Sequence, residues 1–135
     1  ERAQSQTNLW VKAAGYGTVS RERIPRVPLE SIKPDRLAEW IAEKRPLLIL
    51  DVRREDQFAS DHLPGAVNIP LYRLHERYSE IPLDKTVVVV DERGLRSFLA
   101  SSYLVRKGIS DVRRLFKGME GWRMRHDPVH FFKPR

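Results

Sequence analysis

Cysteine is missing from all 135 residues. Its absence excludes disulfides, thiolate metal sites and thiol nucleophiles together, and it leaves the redox compartment open, because a chain without thiols is indifferent to it. Long apolar runs are missing too, since none approaches the roughly 18 residues that a membrane-spanning helix needs. The chain opens on Glu1-Arg2-Ala3-Gln4, with neither an initiator methionine nor an apolar signal core. That start is expected of a soluble piece cut from something longer or matured by cleavage, cytoplasmic or exported. Internal repeats and low-complexity tracts are absent as well. With 41% hydrophobic residues, the chain can bury one core but hardly two.

Positive charge is what the sequence has in excess: 25 Lys and Arg against 18 Asp and Glu give a formal net charge of +7. Such a balance favours acidic partners, whether protein, lipid headgroup or nucleic acid. The cluster Arg113, Arg114, Lys117, Arg123, Arg125, Lys133 and Arg135, interleaved with Trp122, Phe131 and Phe132, has the mixed arginine and aromatic composition of protein interfaces. It matches a nucleic-acid footprint only loosely. A solvated face with a C-terminal anchor is expected of this cluster first, an acidic protein partner or an adjacent domain second, and nucleic acid third. His126 and His130 have a zinc-binding spacing, but Pro128 stands between them and disfavours the helix that spacing requires. No metal and no cofactor is expected.

Along the chain, residues 1–31 read as an N-terminal extension or linker, 32–129 as the folded domain, and 130–135 as a basic C-terminal tail. The extension is polar and basic, holds Gly15 and Gly17, and ends in Ile24-Pro25-Arg26-Val27-Pro28, a spacing that favours extended backbone. Leu9, Trp10, Val11 and Tyr16 are apolar enough to dock, either on the domain's own flank or on a neighbour. Lys33-Pro34-Asp35 suits a helix start, and Leu37, Ala38, Trp40 and Ile41 share one face of the helix that follows. Leu47 to Leu50 and Thr86 to Val90 are short unbroken apolar runs, expected of strands covered on both faces and hence of a parallel sheet. Between them come the turn Leu63-Pro64-Gly65-Ala66, an extended piece at Val67 to Ile69 and a helix expected over Leu71 to Tyr78. Phe98, Leu99, Tyr103 and Leu104 mark a further helix closed by Lys107-Gly108, and Val112 to Phe116 a further strand ahead of Trp122. Strands alternating with helices imply an α/β layered fold with its site at the carboxyl ends of the strands.

The loop Asp91-Glu92-Arg93-Gly94-Leu95-Arg96, followed by Ser97, lies at such an end. An apolar strand entering a short polar loop with a glycine, then a helix, lets backbone N–H groups converge on the residue at the strand's end and hold an anion there. Here the anion would be the Asp91 carboxylate. Arg93 and Arg96 could bind a small anion above the loop, but arginine forms fork-like bonds to carboxylates readily, so pairing with Asp91, Glu92 or nearby acidic groups is expected. Glu92 is the one carboxylate close enough in sequence to support phosphatase chemistry through an aspartyl phosphate. Because no paired-carboxylate pattern surrounds it, that chemistry is disfavoured.

Three stretches in order carry a resemblance to a known family. Leu50-Asp51-Val52-Arg53, Phe58 and His62-Leu63-Pro64-Gly65-Ala66-Val67-Asn68-Ile69-Pro70 resemble the first signature of rhodanese-like domains, with Asp61 replacing a usual glycine. Asp91 to Ser97 is similar to the family's Cys-x-x-Gly-x-Arg-Ser loop at Gly94, Arg96 and Ser97, and departs from it at the nucleophile. Val112, Leu115, Gly118 and Trp122 follow its closing pattern, with Met119 where a second glycine is common. The resemblance implies a three-layer α/β fold, a central mostly parallel sheet with helices on both faces. It also implies sulfur transfer through a cysteine persulfide in active members. Asp51 and Arg53 would brace the loops, and His62 would donate to backbone rather than act as a base. With Asp91 in place of the cysteine, no catalytic residue is expected. The chain reads as a non-catalytic binding or regulatory module, and any remaining enzyme activity would be sulfurtransferase-like.

Overall fold

The computed structural model describes residues 29–126. Leu9, Trp10, Val11, Tyr16, His130, Phe131, Phe132, Lys133 and Arg135 lie outside that range. In chain order the elements are β1 (Glu30–Ile32), α1 (Pro34–Ala42), β2 (Leu47–Asp51), α2 (Glu55–Ser60), β3 (Val67–Asn68), α3 (Leu74–Arg77), β4 (Thr86–Val90), α4 (Ser97–Arg106), β5 (Val112–Leu115) and α5 (Gly118–His126). The strands form one sheet in the order β1-β5-β4-β2-β3, and every pairing in it is parallel. This is the three-layer α/β arrangement that the alternating pattern implies.

The valine run of β4 explains why the sheet is covered twice. Successive side chains of a strand point to opposite faces. Val87 and Val89 accordingly join a core with Leu50, Leu74, Ala100, Tyr103 and Leu104, whereas Val88 and Val90 join another with Ile49, Leu37, Trp40, Met119 and Trp122. The first core is roofed by α3 and α4, the second by α1 and α5. Helix α1 starts as its sequence demands, with Lys33 extended at the N-cap, Pro34 in the first turn and Asp35 behind it. It buries Leu37 and Trp40.

Three local expectations change. The helix over Leu71 to Tyr78 is broken into a 3-10 turn at Leu71–Arg73, one α turn at Leu74–Arg77 and a second 3-10 turn at Tyr78–Glu80. With Leu74 the buried residue of α3, too little apolar surface faces the core to hold a longer regular helix. Phe98 lies on the outer side of α4, while Ala100, Ser101, Tyr103 and Leu104 line its buried side. Strand β1 and helix α2 are additions that the sequence pattern did not indicate.

Chain direction places the site. Helix α4 leaves β4 for one face of the sheet, and α5 leaves the neighbouring β5 for the other, as their membership of the two cores shows. Adjacent parallel strands whose connections part in this way open a crevice at their carboxyl ends. The loop from Asp91 to Arg96 sits at that crevice.

Leu50 is fully buried in β2, an interior strand between β4 and β3. Leu50→Ala should lower the unfolding free energy by about 2–5 kcal/mol in urea titration, and a loss below about 1 kcal/mol would show that the site collapses around the truncated side chain.

Candidate functional site

Asp91 follows β4 directly and is 3% exposed. One carboxylate oxygen, Oδ1, accepts the backbone N–H of Gly94 at 2.6 Å; the other, Oδ2, accepts those of Arg96 at 2.6 Å and Ser97 at 2.7 Å. Ser97 opens α4, so part of this donor set is the unpaired N–H array of a helix N-terminus, which favours negative charge. Gly94 makes the turn possible through its φ of +92°. The Ser97 hydroxyl donates to the Gly94 carbonyl at 3.3 Å and closes the loop on itself.

Helix α5 holds the loop from the other side. The N–H of Met119 donates to the Asp91 carbonyl at 2.8 Å, and that of Glu120 to the Glu92 carbonyl at 2.9 Å. So close an approach requires Gly118, where a Cβ would stand 2.7 Å from Asp91 Oδ1. The glycine of the closing turn thus makes room for Asp91, a link that no local pattern reveals.

Around this centre lies a charged network. Asp51 is fully buried and accepts the Arg53 backbone N–H at 3.0 Å and its guanidinium at 2.9 to 3.2 Å. Arg53 also donates to Glu92 at 3.1 Å and to the Asp61 carbonyl at 2.6 Å. Asn68 ties the strand end down by donating to the carbonyls of Asp51 and Arg53. From α5, Arg123 bridges the carboxylates of Asp61 and Glu92. Its hydrogen bonds hold both carboxyls below their ordinary values against partial burial, with its charge and that of Arg53 adding to the effect. Burial works against the Arg53 cation, but its bonds to Asp51 and Glu92 outweigh that and raise its pKa. Hydrogen bonds from Arg123 to Asp61 and Glu92 raise the Arg123 pKa likewise.

His62 places Nδ1 2.8 Å from the Phe58 carbonyl and stacks on the Phe58 ring, with 3.9 Å between centroids. A carbonyl can only accept, so Nδ1 carries the proton and donates to backbone. Arg93 and Arg96 depart from expectation. Asp91 is satisfied by N–H groups and Glu92 by Arg53 and Arg123, so both loop arginines are exposed with no carboxylate partner among the described residues. They border a cleft of about 290 Å³ together with Arg53, Arg54, Gln57 and Leu95. The carboxy-terminal basic cluster is also divided: Arg113 pairs with Glu30 and Asp111, and Arg123 turns into the network. Sequence reasoning missed Arg123, Asn68 and the role of Asp61, whose partners lie far away in the chain. Among the described residues, no group of three His, Asp or Glu side chains is gathered as a metal site, and no helix is long and apolar enough to cross a membrane.

Comparison with known proteins agrees with this architecture. A profile of the rhodanese-like domain family matches residues 33–125. A sulfurtransferase of Allochromatium vinosum is 30% identical over 101 residues, covering 75% of this chain and 94% of its own length. A rhodanese-like domain protein from Staphylococcus aureus superposes with a TM-score of 0.66 at 29% identity, covering 70% of this chain and 91% of that one. A NAD-dependent persulfide reductase from A. fulgidus is 38% identical at a TM-score of 0.56, covering 70% of this chain but only 16% of the longer protein.

Two measurements follow from the geometry. Asp91→Asn removes the charge and turns an NH2 group toward a loop N–H, so stability should fall by about 1–3 kcal/mol in urea titration. An unchanged midpoint would mean that the loop's donors do not depend on the carboxylate. The second concerns acid. Asp61 and Glu92 titrate lower in the folded chain than in the unfolded one, so their contribution is complete above about pH 4 to 5 and is lost as pH falls through the folded values. Arg123→Gln should therefore lower stability at pH 7 and flatten its decline toward pH 3. A variant with the same decline as the parent would remove Arg123 from the linkage.

Proposed function

The chain belongs to the rhodanese-like domain family, and we propose that within it this protein is a non-catalytic binding or regulatory module whose anion-holding loop is filled by its own Asp91. The observation that carries this reading is the set of three short N–H bonds to the Asp91 carboxylate. Sulfur transfer in this family is expected to pass through a cysteine thiolate that takes up a sulfane sulfur, and the chain is similar to a sulfurtransferase of Allochromatium vinosum. A carboxylate forms no persulfide. It also puts negative charge where an incoming anion would bind, which repels thiosulfate or phosphate from the loop's donors. The charged network of Asp51, Arg53, Glu92 and Arg123 braces the loops around an aspartate that stands where the family's cysteine is expected. A module role, alone or beside an enzyme domain in one polypeptide, fits that combination.

A second reading is a sulfurtransferase scaffold disabled at this position alone, and the intact donor set favours it. The aspartyl phosphatase reading is weaker, because both Asp91 oxygens are engaged by loop N–H groups and Glu92 is engaged by two arginines. It requires phosphate release from p-nitrophenyl phosphate that disappears in Asp91→Asn.

Sulfur transfer from thiosulfate to cyanide by the unaltered chain should stay at the reagent blank, and turnover several-fold above it would overturn the proposal. Asp91→Cys sets Sγ one bond nearer the backbone than the carboxylate oxygens, and N–H contacts to sulfur are longer than those to oxygen, so the same donors can reach it. Its thiol should titrate below the free value of about 8.5, read from the pH dependence of alkylation. Rapid sulfur transfer by that variant would favour the disabled scaffold, whereas a low thiol pKa without turnover would favour the module.

A further inference from the structure

Next to the loop, on the side away from Arg53, lies a second cleft of about 250 Å³ between the ends of β4, β5 and β1, lined by Arg93, Gly94, Arg114, Phe116 and Lys117 among others. We propose that this face docks an acidic segment of another protein that carries an apolar side chain, an inference that rests on reading the chain as a binding module.

Charge gives the first argument. Arg93, Arg114 and Lys117 have no carboxylate partner among the described residues, and the two carboxylates that precede Arg93 in the loop are already committed, Asp91 to loop N–H groups and Glu92 to Arg53 and Arg123. The Nε of Arg114 is withdrawn from solvent without an acceptor. The face therefore carries uncompensated positive charge at a concave place, where a carboxylate gains most from it.

Apolar exposure gives the second. Phe98 is 50% exposed and Phe116 48%. The Arg114 guanidinium lies 5.7 Å from the Phe98 ring centroid, and the Lys117 ammonium 5.6 Å from that of Phe116, so cation and ring alternate across the patch. Arginine and aromatic side chains together are the composition of interface anchors. A bare polyanion would use the cations and leave the rings wet, while a purely apolar segment would strand the cations. An acidic segment with an apolar anchor satisfies both.

The backbone beneath is fixed before any partner arrives. The Phe116 N–H donates to the Ile32 carbonyl at 2.9 Å, and the Lys117 carbonyl accepts the Gly121 N–H at 2.9 Å. Lys117 holds a φ of +61° with Gly94 packed against its backbone. Pre-ordered side chains lose less freedom on binding.

Charge also says what the occupant is not. The N-terminal segment carries Arg2, Lys12, Arg21, Arg23 and Arg26 against Glu1 and Glu22, and the C-terminal one Lys133 and Arg135 against Asp127. Neither complements a basic face. A second copy of a chain with a net charge of +7 is repelled in the same way.

The test is to pan a displayed library of random dodecapeptides on the full chain and measure the selected peptides by fluorescence anisotropy. Enriched sequences should combine Asp or Glu with Phe, Leu or Trp. Lys117→Glu should weaken them roughly tenfold or more and Phe98→Ala at least a few-fold, whereas Lys85→Glu, the same charge change at the opposite end of the sheet, should shift affinity less than about twofold. Equal losses at Lys117 and Lys85, or enrichment of peptides without acidic residues, would overturn the proposal. So would a single-stranded oligonucleotide that binds more tightly than the peptides and displaces them, since it would assign the face to nucleic acid. Thiosulfate turnover is read separately. A chain that transfers sulfur yet selects these peptides loses the non-catalytic reading and keeps the docking face; an inert chain that selects none loses the docking face alone.

Discussion

The bond set between the Asp91 carboxylate and the N–H groups of Gly94, Arg96 and Ser97 is the constraint from which the rest of the site follows. A buried charge without partners costs several kcal/mol, so a carboxylate that is 3% exposed is tolerable only where donors converge on it. Donors converge here because β4 ends at the crevice of the sheet and α4 begins a few residues later. Each side needs the other: without an anion the loop's N–H groups would be orphaned beside a hydrophobic core, and without the loop the charge would stay in water. Charge-assisted bonds of this kind contribute about 1.5–3 kcal/mol each, enough for one side chain to set the conformation of a six-residue loop.

The outer network solves a different problem. Glu92 follows the buried aspartate immediately, and two adjacent anions would repel each other unless the second were neutralised. Arg53 and Arg123 reach it from β2's end and from α5, so Glu92 becomes the point where three parts of the chain meet. Such a network adds little to stability where it is exposed. Its buried half, Asp51 with Arg53, is where geometry matters, because neither partner has access to water and each holds the other in place.

How much of this the sequence discloses depends on how local the cause is. The donors to Asp91 lie three, five and six residues after it, so a strand, a glycine and a helix start in succession were enough to place an anion at that position. The valine run of β4 announced a strand covered on both faces for the same reason. Arg123 could not be read in this way: its partners are 31 and 62 residues earlier, and in sequence it looked like one more cation in a basic tail. Helix α2 escaped because it buries none of its residues and so carries no apolar stripe. Strand β1 escaped because three residues paired along one edge show too little alternation to stand out.

Filling the loop from within also changes what its arginines do. In a loop awaiting an outside anion, nearby cations contribute to holding that anion, and their charge is committed to the pocket. Here the loop's donors are already satisfied by Asp91, and Glu92 is balanced by Arg53 and Arg123, so Arg93 and Arg96 have no counterion among the described residues and are exposed. Their positive charge is thereby left at the surface, which also exposes Leu95 and Phe98. An internal carboxylate and an exposed basic surface are then two sides of one charge balance: donors satisfied from within the loop leave its arginine side chains to solvent.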